Sequence, residues 1–260
     1  MDLLRTVSEL RYALASYPSS AIGFVPTMGN LHEGHLSLIQ QARQENAIVI
    51  VSIFVNPTQF DDPNDYQTYP RTLEADLKLL EPLSVNFVFS PTVKEMYPVQ
   101  TDPIRFQVGD LARYWCGAYR PGHFDGVVQI VTKLFNLVQP RRAYFGEKDY
   151  QQLRIIEELV KCYHFPIEIV RCPTVREADG LAMSSRNRLL TPEQRKQAVV
   201  LYRVLSKMNE LAKEGMQTRY LIQQVEPILQ HYPLFQLQYL GVADGITLHP
   251  LQRLSKERKP

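Results

Sequence analysis

One nine-residue run limits the folds open to this chain more than any other feature. Residues 47–55 read A-I-V-I-V-S-I-F-V, apolar at nearly every position. A half-solvated strand alternates apolar with polar residues. A run apolar throughout is the pattern of a parallel strand covered on both faces. Its neighbours fit that frame. Residues 21–27 (A-I-G-F-V-P-T), 85–89, 142–145 and 167–171 read as further strands. Between them, helical patterns are expected from Glu33 to Glu45, Arg71 to Leu80, Phe124 to Val138 and Tyr150 to Tyr163. Thr6-Val7-Ser8-Glu9 fits a capping box opening an earlier helix. Alternating strand and helix implies an α/β architecture, a doubly wound parallel sheet.

The texture changes after residue 172. Thr191-Pro192-Glu193-Gln194 combines an N-cap, a proline at the first helical position and a glutamine three residues on. It predicts a helix to about Lys213, then a second over Arg219–Gln230 and a strand over Gln236–Val242. Helix-helix-strand is a different arrangement. The expected division is 1–174 for a nucleotide-binding domain and 175–260 for a smaller α+β C-terminal domain.

Composition narrows the function classes. The 260 residues are 45% hydrophobic and 22% charged, ordinary for a soluble globular chain. A net charge of +2 advertises neither nucleic acid nor membrane. The basic run Lys256-Glu257-Arg258-Lys259 reads as a solvated terminus. Cys116, Cys162 and Cys172 are odd in number and lack C-x-x-C spacing, which argues against a disulfide framework or a zinc site. No segment is long and apolar enough for a signal peptide or a membrane span, so the cytoplasm is the expected location.

Chemistry concentrates where strands end. Pro26 to His35 (P-T-M-G-N-L-H-E-G-H) lies between a strand and the helix after it. In such sheets ligands bind beyond the carboxyl ends of strands, and a helix N-terminus suits phosphate. His32 and His35 share a face of the first helical turn, and Gly34 lets a flat base approach the backbone. Two imidazoles there can donate hydrogen bonds to phosphate oxygens whose charge rises in a transition state. The competing reading is two surface histidines at a helix cap. Met183-Ser184-Ser185-Arg186, behind Gly180, suits a phosphate clamp or else a polar linker. Gly146-Glu147-Lys148-Asp149 again follows a strand: Lys148 can neutralise phosphate, and Asp149 can hold a ribose hydroxyl or Mg²⁺, or simply cap the next helix. Gln59, after Asn56-Pro57, has the donor and acceptor a hydroxyl group needs, or marks only a turn. His123 reads as a helix-start residue with a structural hydrogen bond. Trp115 sits in a glycine-flanked turn suited to covering a pocket.

The histidine and Met183–Arg186 motifs together are similar to the H-I-G-H and K-M-S-K-S elements of nucleotidyl-transferring enzymes. The full set resembles the pantothenate synthetase family more specifically. The matching runs are P-T-M-G-N-L-H-E-G-H (26–35), F-V-N-P-T-Q-F (54–60), Y-P-R-T (69–72), R-P-G-H-F-D-G-V (120–127), K-L-F-N (133–136), F-G-E-K-D-Y-Q-Q-L (145–153) and D-G-L-A-M-S-S-R-N (179–187). Weaker matches follow at 238–244 and 247–251. The resemblance implies a Rossmann-like domain with a lid-like partner, condensation of pantoate with β-alanine, cleavage of ATP to AMP and pyrophosphate, use of Mg²⁺, and a homodimer. It implies ATP contacts from Met28, Gly29, Asn30, Leu31, His32, Glu33, Gly34 and His35, with His35 as proton donor and His32 and Lys148 assisting. Further ATP contacts are implied for Gly146, Glu147, Lys148, Asp149, Val175, Met183, Ser184, Ser185 and Arg186. Gln59 and Gln152 are implied to bind pantoate, with Gln59 also near β-alanine. Family members usually continue past the T-L-x-P-L segment with an apolar strand. Here Gln252 to Pro260 reads otherwise, and the expectation is a small domain without its last strand.

Three other classes remain open to the motifs. An adenylyltransferase would share the histidine motif and release a dinucleotide product. An aminoacyl-tRNA synthetase would need a basic face, which the near-neutral charge does not provide. A nucleotide-binding regulator would bind ATP without releasing pyrophosphate.

Overall fold

A computed structural model describes residues 1–98 and 104–254. Among the described residues six strands form one sheet: β1 (Asp2–Leu4), β2 (Ile22–Thr27), β3 (Ile48–Ile53), β4 (Phe87–Phe89), β5 (Arg142–Gly146) and β6 (Glu168–Cys172). Their order is β1-β4-β3-β2-β5-β6, and every pairing is parallel. The helices are α1 (Val7–Leu14), α2 (Glu33–Glu45), α3 (Pro63–Thr68), α4 (Leu73–Leu80), α5 (Val93–Met96), α6 (Trp115–Tyr119), α7 (His123–Val138), α8 (Tyr150–Cys162), α9 (Pro192–Ala198), α10 (Val200–Leu211) and α11 (Thr218–Gln230).

The apolar run becomes β3, buried at all six positions. Side chains alternate across a strand, so a continuous apolar run feeds two cores. Phe24, Ile50 and Phe145 pack with α1, α7 and α8 on one face. Val25, Val51 and Tyr144 pack with α2 and α4 on the other. Chain order reverses at β2: β3 and β4 lie to one side, β5 and β6 to the other. The loops after β2 and β5 therefore diverge, opening a crevice at the carboxyl edge.

Two expectations for the later part need correction. The helix from Thr191 has its capping box, but it is two segments meeting at Val199. Val199 keeps helical angles (φ −59°, ψ −23°), so the interruption is in the hydrogen bonding. The strand expected over Gln236–Val242 does not form among the described residues. A strand needs a partner ladder. This segment instead has a bond from Leu251 N to Val242 O (2.9 Å) beside the isolated bridge Ala243–Pro250, and Gln238 O accepts from the Tyr119 hydroxyl. α10 and α11 pack through Val200, Val204, Met208, Leu221, Val225 and Leu229, a third apolar cluster. The basic run at 256–259 lies outside the described residues.

Candidate active site

The loop from β2 into α2 needs unusual backbone. Gly29 (φ +80°) and Asn30 (φ +50°) are both left-handed. A Cβ on Gly29 would stand 3.0 Å from both Asp76 Oδ2 and Ile53 Cγ2, so glycine answers sterics as well as conformation. Asp76, 1% exposed on α4, fixes the turn from beneath. Its Oδ2 accepts from Asn30 N (3.0 Å) and from the Thr72 hydroxyl (3.1 Å), and its Oδ1 from Leu31 N (2.8 Å).

That turn delivers the histidines. His32 is the N-cap of α2, and its Nδ1 accepts from Gly34 N (3.1 Å). His35 Nδ1 accepts from His32 N (3.4 Å), and the ring centroids lie 4.1 Å apart. A neutral imidazole that accepts at Nδ1 carries its proton on Nε2. Burial, then the Lys148 and Arg188 charges, lowers the His32 pKa to about 4. Burial, then His32 and Lys148, lowers that of His35 to about 3. At neutral pH both rings are uncharged, with Nε2–H as the remaining donor.

Both line one crevice of about 1090 Å³, counting its open mouth, together with Met28, Gly34, Gln59, Gly146, Lys148, Asp149, Gln152, Val175 and Met183. Eleven of the sequence-predicted positions thus meet in one space, at the point where the sheet order reverses. Gln59 is buried and held in place: its Oε1 accepts from Asn56 Nδ2 (3.1 Å), and its carbonyl bonds His123 Nδ1 (2.6 Å). A Cβ on Gly126 would fall 2.1 Å from Thr58 O, so α7 approaches this turn only through glycine. The R-P-G-H-F-D-G segment thus supports the site from behind, the structural role expected for His123.

The remaining predicted positions sit around the crevice. Asn30 and Leu31 are buried beneath it, and Leu31 N is committed to Asp76. Glu33 and Ser184 line an adjoining recess with Arg188 and Arg195. Ser185 is buried and donates its hydroxyl to Asn30 O (3.1 Å), while Asn30 Nδ2 donates to Ser185 O (3.3 Å). This pair clips loop 183–188 onto the histidine loop. Arg186 pairs with Asp65 of α3 at 2.7 Å. Glu147 is not among the lining residues. Trp115 covers a second recess beside Lys148 and Gln152, donating from Nε1 to Leu248 O (2.7 Å).

Sequence reasoning missed Asp76 and Arg188. Asp76 looks like an ordinary first-turn acid of a helix, and its contacts span 45 and 46 residues. Arg188 Nη1 reaches Asn30 Oδ1 (3.1 Å), 158 residues away. No local pattern carries either pairing.

A family model described as pantoate-beta-alanine ligase matches residues 2–259. A pantothenate synthetase of Thermus thermophilus is 52% identical over 252 residues, 96% of this chain and 90% of the relative. One from Fervidobacterium nodosum is 48% identical over 256 residues, 98% and 91% of the two chains. Among solved structures, pantothenate synthetase from Thermus thermophilus superposes with a TM-score of 0.92 at 50% identity, covering 98% of this chain and 91% of that one. The pantoate-beta-alanine ligase of Francisella tularensis, complexed with beta-gamma ATP and beta-alanine, gives 0.78 at 40% identity, covering 87% and 85%.

Proposed function

The chain belongs to the pantoate-beta-alanine ligase family, and from that premise we propose that the crevice beyond β2 and β5 is where it works. It is an ATP-dependent ligase that joins pantoate to β-alanine, giving pantothenate, AMP and pyrophosphate through a pantoyl adenylate. The observation that carries the site assignment is the pair of neutral imidazoles at the α2 N-terminus, sharing one crevice with Lys148, Gln59 and Gln152.

The pantoate carboxylate is a poor electrophile until an AMP leaving group is attached. Gln59 and Gln152 hold the pantoate hydroxyls and orient the carboxylate toward the α-phosphorus. The carboxylate attacks, the P–O bond to the β-phosphate breaks, and pyrophosphate leaves. His32 and His35 donate Nε2–H, and Lys148 adds positive charge, where negative charge rises. Positioning and electrostatics carry most catalysis of this kind. The remaining backbone positions from Met28 to His35, with Gly146 to Asp149, Val175 and Met183 to Arg186, frame the nucleotide. The β-alanine amine then attacks the adenylate carbonyl and AMP leaves. Exclusion of water by the segment after residue 174 protects the adenylate.

Among the described residues no group of three or more His, Cys, Asp or Glu could hold a metal, and the lining has Asp149 as its acidic side chain. That donor set fits Mg²⁺ carried on the triphosphate, with Asp149 as an available carboxylate. Mg²⁺ bound there would neutralise phosphate charge. We assign residues 1–174 to the nucleotide-binding domain, 175–260 to the lid, the active form to a homodimer and its place to the cytoplasm. In the described residues no helix is long and apolar enough to cross a membrane.

The test is pyrophosphate release from ATP and Mg²⁺. With pantoate alone, a single turnover is expected. With β-alanine added, release becomes continuous and pantothenate accumulates. Absence of release under both conditions, while ATP still binds, would refute the reading.

A further inference from the structure

We infer that Asp76 is a positioning residue for catalysis, setting the two imidazoles through the Gly29–Leu31 turn. The inference rests on the ligase reading of the crevice. Asp76 is 1% exposed, and its two oxygens collect three hydrogen bonds, from Asn30 N, Leu31 N and the Thr72 hydroxyl. A buried carboxylate costs free energy unless its lone pairs are used, and here the turn uses them. Of the two residues it grips through the backbone, Asn30 is left-handed (φ +50°) and Leu31 directly precedes the N-cap His32. Ser185 holds the other side of the same residue, bonding Asn30 O at 3.1 Å. Asn30 is thus fixed at N by Asp76 and at O by Ser185. The path from Asp76 to the rings is short: the turn sets His32, and His32 N sets His35 Nδ1. Gln59 and Gln152 are carried by the turn after β3 and by α8, outside this path.

Asp76→Asn tests it. The amide keeps the shape but aims a donor at backbone N–H groups. A misplacement near 1 Å costs on the order of 100-fold in rate, so kcat should fall by about 100-fold while the pantoate KM stays within about twofold. Nitrogen NMR of the imidazoles, read on the ATP-free protein, should show a changed Nδ1/Nε2 pattern for His32 and His35. That readout needs no turnover, so it stands or falls separately from the ligase reading. Leu10→Ala, a core truncation on α1 in the opposite apolar layer, lowers stability away from the turn and should leave both readouts unchanged in folded protein. The inference is overturned if Asp76→Asn leaves the imidazole signals unchanged, if Leu10→Ala reproduces its kcat loss, or if Asp76→Asn raises only the Mg²⁺ requirement, as a metal ligand would.

Discussion

The part of the chain through β6 and the part after it are held by different forces. In the first, six paired strands among the described residues sit between two apolar layers, and the loops of the crevice are anchored by buried side-chain-to-backbone bonds such as Asp76 to the histidine turn. In the second, a small cluster joins α10 to α11 and a smaller one gathers Leu181, Ala198 and Val199. The segment that follows packs Phe235, Leu240 and Val242 on that α10–α11 cluster and is strapped to the first part by Trp115 to Leu248 O, Tyr150 to Gly245 O (3.0 Å) and Arg154 to Ile246 O (3.4 Å). Rigid support lies under the imidazoles, and the part after β6 is more loosely attached. That contrast supports the proposed division into a fixed nucleotide site and a lid.

The largest test of this contrast is a pair of core truncations. Phe24→Ala, fully buried on β2, should cost about 3–5 kcal/mol and lower the main unfolding transition together with activity. Leu221→Ala should cost about 2–5 kcal/mol but act on the α10–α11 pair, giving an earlier calorimetric transition while pantoate-dependent ATP cleavage survives. A single shared transition for both variants would break the two-part description. Next in size, His35→Ala should lower kcat about 100-fold, the loss expected on removing one stabilising donor. Near-normal turnover would remove His35 from the mechanism.

Trp115→Phe deletes the bond to Leu248 O and should loosen the strap by about 1 kcal/mol. Hydrogen exchange should then rise in residues 238–250 and not in α2. The smallest effect is with pH. Both histidines titrate below the unfolded value near 6.5, at about 4 and about 3. Between about pH 3 and 6.5 the folded protein therefore binds fewer protons than the unfolded chain. Their contribution to stability rises with pH through that window and is complete above it. NMR titration should show no imidazole midpoint near 6.5 for either ring, and kcat/KM should show no histidine limb between pH 5 and 8.

The same contrast explains what the sequence revealed. Residues 48–53 are apolar on both faces and announce themselves, and the Thr6 and Thr191 capping boxes are local. Three-residue β1 at the sheet edge, and the short α3, α5 and α6, are too brief to show a period and went unread. Residues 236–242 have strand-like composition, but a strand is a property of two segments, and among the described residues the second is not beside it. At the site, His32, Lys148 and Gln59 were legible because they follow strand ends. Asp76 and the Asn30–Ser185 clip were not, because each is a pairing across distant sequence.

The most direct test is exchange of labelled pyrophosphate into ATP with pantoate present and β-alanine absent. Exchange that requires pantoate and is lost in His35→Ala would match an adenylate formed beside the two imidazoles. Exchange that needs β-alanine, or that persists undiminished in His35→Ala, would contradict it.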